Sequence, residues 1–156
     1  MFFVREMQDG PGKKWDIKKA SEAIELLVKS EKISAIVTFD KIGITGHSNH
    51  IDAAAAVIMA ARAVNTNIPV WELISLSKVR NYASIGEVWF SSSLRQAHLL
   101  AQSASTIKHV SILNGREQFW KTREAMAAHA SQMLWFRHLH ITFSSYMWIN
   151  HLQRVL

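Results

Sequence analysis

A chain of 156 residues, 49% hydrophobic and 19% charged, is sized for one globular domain with a real core and is unlike a disordered or fibrous protein. It contains no cysteine, which excludes disulfides and thiolate-held zinc and leaves His, Asp and Glu as metal-binding side chains. The formal charge of +6 and a pI near 9.8 favour an anionic partner, yet the basic residues are scattered, with Lys13-Lys14 and Lys18-Lys19 the close pairs, so nucleic acid is not expected as that partner.

The chain opens on Met1-Phe2-Phe3-Val4, an abrupt buried-strand pattern followed at once by Arg5 and Glu6 and far too short for a signal peptide or a membrane span. From Asp16 to Lys32 the spacing predicts an amphipathic helix, with Ile17, Ala20, Ile24, Leu27 and Val28 on one side. Ile33 to Phe39 is β-branched and almost wholly apolar, the pattern of a strand buried on both faces of a parallel sheet. It ends at Asp40, and Lys41 to Gly46 forms a glycine-containing loop. His47 to Val64 is a second helix, Ala-rich and apolar nearly all round, expected to pack on the sheet. Val70 to Leu76 is a second strand. Ser77 to Ser105 holds a helix near Tyr82, an apolar stretch at Val88 to Phe90 and a serine-rich loop. A third strand follows over His109 to Leu113, then a helix over Arg116 to His129 and a helical tail from Ser131 to Leu156. Alternating strands and helices argue for an α/β layered fold with a mostly parallel sheet.

In open parallel sheets, ligands bind beyond the carboxyl ends of the strands, where loops lead into helices. The segment Thr38 to His50 stands in that position, and His47 and His50, three apart at a helix start, project from one face. Such a pair suits two ligands to a divalent metal, or one ligand beside a catalytic imidazole, or capping and surface chemistry with no metal.

Thr38-Phe39-Asp40, then Gly43, then Gly46-His47-Ser48-Asn49-His50 resembles the second motif of the PIG-L (LmbE-like) deacetylase family. The run His129-Ala130-Ser131-Gln132-Met133-Leu134-Trp135-Phe136-Arg137 resembles the C-terminal signature of its eukaryotic branch, and Gln8-Asp9-Gly10 with Trp15-Asp16 fits the segment before the first helix. The Trp-Phe-Arg run and Asn49 point to the glycosylphosphatidylinositol-pathway branch. The resemblance implies a Rossmann-like fold and a zinc ion that activates water to remove acetyl from GlcNAc-phosphatidylinositol at the cytoplasmic face of the endoplasmic reticulum membrane. It also implies that His50 is a zinc ligand and that His47 stabilises the oxyanion or protonates the leaving amine. Asn49 orients His47, and Asp40 supports the site from the strand end. His129 and Gln132 fall near the pocket, where support for the site and simple capping or packing both remain open.

That family's first motif, His-Pro-Asp-Asp-Glu, has no counterpart here. The aspartates are Asp9, Asp16, Asp40 and Asp52, no two adjacent, and neither Pro11 nor Pro69 follows a His. Residues 1–156 therefore read as the C-terminal part of a single deacetylase domain, and the chain by itself is expected to be inactive. An alternative is a non-catalytic remnant or interaction scaffold that keeps half of the metal site. In the tail, Arg137 argues against a spanning helix, while Trp135, Tyr146 and Trp148 suit either a membrane–water interface or packing against the core.

Overall fold

Asp16 starts the first helix: its carboxylate accepts from the N–H groups of Lys18 and Lys19 at 3.0 and 3.2 Å. A computed structural model describes residues 7–8, 12–64, 67–84, 86–91, 108–130 and 133–156. Its elements are α1 (Ile17–Ser30), β1 (Ile36–Phe39), a short helical turn α2 (Gly43–Gly46), α3 (Ser48–Val64), β2 (Val70–Leu73), α4 (Lys78–Asn81), β3 (His109–Leu113), α5 (Arg116–Ala127), α6 (Trp135–Phe143), a 3₁₀ turn (Ser145–Met147) and β4 (Ile149–Arg154). The protein is mixed α/β, with the strands in the order β1-β2-β4-β3. The chain forms two compact units, Met1–Ser75 with Leu152–Leu156, and Leu76–His151.

In the first unit, α3 packs chiefly on α1 and also covers β1 and β2. The alanines explain the close approach: Ala20 and Ala23 of α1 and Ala54, Ala56, Ala60 and Ala61 of α3 are all buried. Val57, Ala61 and Val70 form the centre of this core, with Ile24, Ile36, Ile58 and Val155 packed against them. Two sequence expectations need correction. β1 is not buried on both faces, because it stands at the sheet edge and Val37 is 62% exposed. Leu27 likewise lies outside the buried stripe of α1.

The mostly parallel sheet is also corrected. β1 and β2 are parallel, with Ile36 beside Val70 and Phe39 beside Leu73, but β2 pairs antiparallel with the end of β4, Leu73 opposite Leu152 and Trp71 opposite Arg154. The cause lies in the tail, which was expected to be helical throughout. Its helix stops at Phe143, Ser144 Oγ accepts from Tyr146 N–H at 3.3 Å, and the chain straightens into β4. Val155 N–H then donates to Val70 O at 2.9 Å, and Val70 N–H to Leu156 O at 3.2 Å.

In the second unit, Ser77 caps α4 through Arg80 N–H at 3.4 Å. Asn114 N–H donates to Trp148 O at 2.8 Å and Ser111 Oγ meets His151 Nδ1 at 2.9 Å, a constant-sum register that sets β3 antiparallel to the start of β4. Phe119 of α5 stacks on Trp148 with ring centroids 4.4 Å apart. Val88 to Phe90 is helical, within 86–91. The serine-rich loop expected beyond it and the strand-like start at Met1-Phe2-Phe3-Val4 lie outside the described residues.

Candidate active site

Because β1 and β2 run parallel with Phe39 beside Leu73, the chain leaves both strands at the same end, and Asp40 meets Ser75 there. Asp40 Oδ1 accepts from Ile42 N–H and Gly43 N–H, each at 3.0 Å, and from Ser75 Oγ at 2.6 Å. Its Oδ2 accepts from Ser75 N–H at 2.7 Å. Desolvation alone would raise this carboxyl's pKa, but the bonds from Ser75, Ile42 and Gly43 outweigh it and hold the group below its ordinary value. The charge of Asp40 thus folds the loop back on itself at the mouth of the parallel pair.

The loop it organises has unusual backbone. Gly43 has φ +66, and a Cβ there would sit 3.0 Å from both His50 Cβ and Ile51 Cγ1, so glycine lets the loop lie directly on the start of α3. Ile44 also has positive φ, 65°, which a β-branched residue holds only when its surroundings fix it. Here Ile44 N–H donates to Ser75 Oγ at 2.8 Å, so Ser75 ties together Asp40 and the strained turn.

His47 and His50 come next. His47 has extended backbone, and its carbonyl accepts from His50 N–H at 3.1 Å and Ile51 N–H at 3.2 Å, placing it at the start of α3. The two rings are stacked, with centroids 5.3 Å apart, as the spacing predicts. His50 is half-buried and stacks face to face on Phe39 at 3.9 Å. Its Nδ1 lies 3.1 Å from Gly43 O. A carbonyl can only accept, so Nδ1 donates this bond, and in the neutral ring that leaves the lone pair on Nε2, the tautomer of a metal-ligating histidine. His47 is exposed, and its Nδ1 lies 2.5 Å from Thr45 Oγ1. Asn49 is buried beside them, accepting from Ser48 Oγ at 3.3 Å. Glu72, next to Thr38 on β2, has its pKa raised by desolvation and then by the charge of Asp40, against a lowering by Lys41.

This arrangement offers one imidazole held by its neighbours and a second, exposed imidazole stacked beside it. It does not complete a zinc shell, which takes about three protein ligands. Among the described residues no group of three or more His, Cys, Asp or Glu side chains gathers. His50 fits zinc as one ligand, and among the described residues no others gather around it. Asp40, His47, Asn49 and His50 lie in the first unit. His129 lies in the second, exposed just past α5, with its N–H on Met126 O at 3.2 Å. Gln132 is outside the described residues. Sequence reasoning missed Thr45, Ser75 and Glu72. Thr45 lay inside the motif and was legible from its position two residues before His47. Ser75 and Glu72 become neighbours of the loop only through strand pairing.

Comparison with known proteins bears out the resemblance read from these motifs. The chain is similar to the N-acetylglucosaminyl-phosphatidylinositol de-N-acetylase of Bos taurus, 34% identical over 150 residues that cover 95% of this chain and 54% of that protein. The probable N-acetylglucosaminyl-phosphatidylinositol de-N-acetylase of Schizosaccharomyces pombe is 32% identical over 151 residues, 96% of this chain and 57% of that protein. A third, from Dictyostelium discoideum and of the same probable description, is 22% identical over 181 residues, 94% of this chain and 64% of that protein. The chain therefore spans a little over half the length of the first two relatives. No family model matches it, and no solved structure does.

Proposed function

We propose that this chain takes part in removing the acetyl group from N-acetylglucosaminyl-phosphatidylinositol in glycosylphosphatidylinositol-anchor biosynthesis, as the C-terminal part of a zinc-dependent deacetylase domain. The observation that carries the reading is the His50 ring, clamped by Gly43 O and Phe39 with Nε2 left open, in a chain similar to de-N-acetylases along nearly its whole length. On this reading, β1, α3 and β2 are a parallel strand-helix-strand crossover of a Rossmann-like fold. The remaining zinc ligands and the base come from a His-Pro-Asp-Asp-Glu strand in the portion of the relatives that this chain does not span. The reaction takes place at the cytoplasmic face of the endoplasmic reticulum.

Zinc, when bound, supplies a positive charge that polarises the acyl group and makes water a stronger nucleophile. His50 holds its Nε2 in place through the Gly43 carbonyl. Asp40 and Ser75 hold the loop that carries that carbonyl. Water adds to the N-acetyl carbonyl carbon, the carbon–nitrogen bond breaks, and acetate leaves with the free amino sugar. His47 delivers the proton that the departing amine needs, and Thr45 sets the orientation of its ring.

The test is a fusion in which the unspanned N-terminal portion of the bovine relative precedes this chain, assayed for acetate release from the glycolipid. Zinc-dependent turnover is expected. His47→Ala should lower it about a hundredfold or more with zinc content unchanged, and His50→Ala should lower both turnover and zinc content. A folded, zinc-loaded fusion with no turnover overturns the reading.

A further inference from the structure

The second unit carries an apolar face that turns away from its core. At about 100° per residue, Trp135, Leu139, Phe143 and Phe136 of α6 fall within an arc of about 100°, and buried Ile141 lies nearly opposite. Trp135 is 74% exposed, and Phe136, Leu139 and Phe143 are each about half exposed. A helix that packs only against its own domain shows the reverse arrangement.

Charge is distributed to match. Residues 76–151 hold eight Lys and Arg against three Asp and Glu, a net +5 of the chain's +6. On α6, His138 and Thr142 border the apolar arc on one side and line, with Arg123 of α5, a hollow of about 310 Å³. Arg123 also lies over the Trp120 ring, 5.2 Å from its centroid and within the roughly 6 Å reach of a cation–π contact, and Trp120 is itself 46% exposed. Aromatic side chains beside cationic ones are the composition of a helix lying in a membrane interface.

We propose that α6 is an interfacial membrane-binding helix, its Trp135–Phe136–Leu139–Phe143 face inserted among the acyl chains of an anionic leaflet and Arg123 and His138 at phosphate level. A second copy of the chain fits the face less well. Four side chains expose on the order of 450 Å², against roughly 800 Å² per partner in a stable interface. The helix lies along the surface: among the described residues no helix is long and apolar enough to cross a bilayer. The inference stands on this face and its charges, and the vesicles that test it carry no amino sugar, so its failure and that of the deacetylation reading are separable.

The experiment is flotation of the 156-residue chain with vesicles of phosphatidylcholine alone or with about 30% phosphatidylserine. Binding to the anionic vesicles is expected, weakened by salt as the surface potential is screened. Trp135→Ser with Phe143→Ser should cut the partition coefficient at least tenfold, by roughly the apolar area removed, and Arg123→Gln should weaken anionic binding alone. Absence of binding by the folded chain overturns the proposal. So does equal binding by the double variant, equal affinity for both vesicle types, or self-association through the same residues without lipid.

Discussion

Asp40→Asn tests how the loop between β1 and α3 is built. The substitution preserves size and removes the charge. One amide oxygen can still accept where Oδ1 accepts from Ile42, Gly43 and Ser75 Oγ, but the amide nitrogen then faces Ser75 N–H, donor against donor at the 2.7 Å now spanned by a hydrogen bond. Flipping the amide moves the clash to the loop N–H groups. Losing a charge-assisted bond and leaving its donor unsatisfied costs about 1.5–3 kcal/mol. The carboxylate is half-buried, so water competes and the expected loss is about 2 kcal/mol, roughly thirtyfold in the folding equilibrium. Urea unfolding at pH 7, with the midpoint read for both proteins, measures it. The pH dependence follows from the depressed pKa of Asp40. The stabilisation is fully present above the ordinary value of 3.8 and is lost as pH falls through the lower folded-state value, so the gap between wild type and variant should close there. A gap below about 0.5 kcal/mol at pH 7, the range of an ordinary surface change, or one that persists undiminished in acid, refutes the account.

Two glycines with positive φ should separate cleanly. Gly43→Ala meets His50 and Ile51 at 3.0 Å and should cost about 2–3 kcal/mol, whereas Gly46→Ala, with φ +78 and open space, should cost about 1 kcal/mol. Thermal melts resolve the difference at roughly 2–4 °C per kcal/mol, and equal costs would show that the Gly43 contact is not tight. In the second unit, Glu87 is buried and bonded by Arg80 and by Ser91 Oγ at 2.6 Å. Desolvation pushes its pKa up, but the bonds from Arg80 and Ser91 outweigh it, so the group titrates below its ordinary value of 4.5. Glu87→Gln should destabilise by about 2 kcal/mol at pH 7, with the difference fading as pH drops through the folded-state pKa. His151 is pushed down by desolvation and by Arg80, against the pull of Glu87, so between its ordinary value of 6.5 and its lower folded-state value each fall in pH favours the unfolded chain. His151→Asn should flatten the stability profile over that window, and an unchanged slope in chemical-denaturation series would place the titration elsewhere.

What local chemistry controls was legible in the chain itself. Asp16 announces α1 because a capping carboxylate acts over two or three residues. The apolar run before Asp40, the glycines after it and the His47–His50 spacing located the candidate site because each reports on its own few dihedrals. The alanines of α3 likewise foretold a tightly packed helix. The partners of those groups were not legible. Ser75 stands 35 positions from Asp40 and Ser91 stands 60 from His151, and nothing near either residue encodes the other. The tail reads as helical to Leu156, yet beyond Phe143 it becomes β4 because β2 and β3 offer open N–H and C=O groups on either side of it. Which side of α6 faces water was equally a tertiary decision, since its sequence carries large apolar residues on more than one side. Periodicity and capping are short-range free energies carried by neighbouring residues, while register, strand direction and the choice of covered face are settled by contacts between segments that meet only in the folded chain.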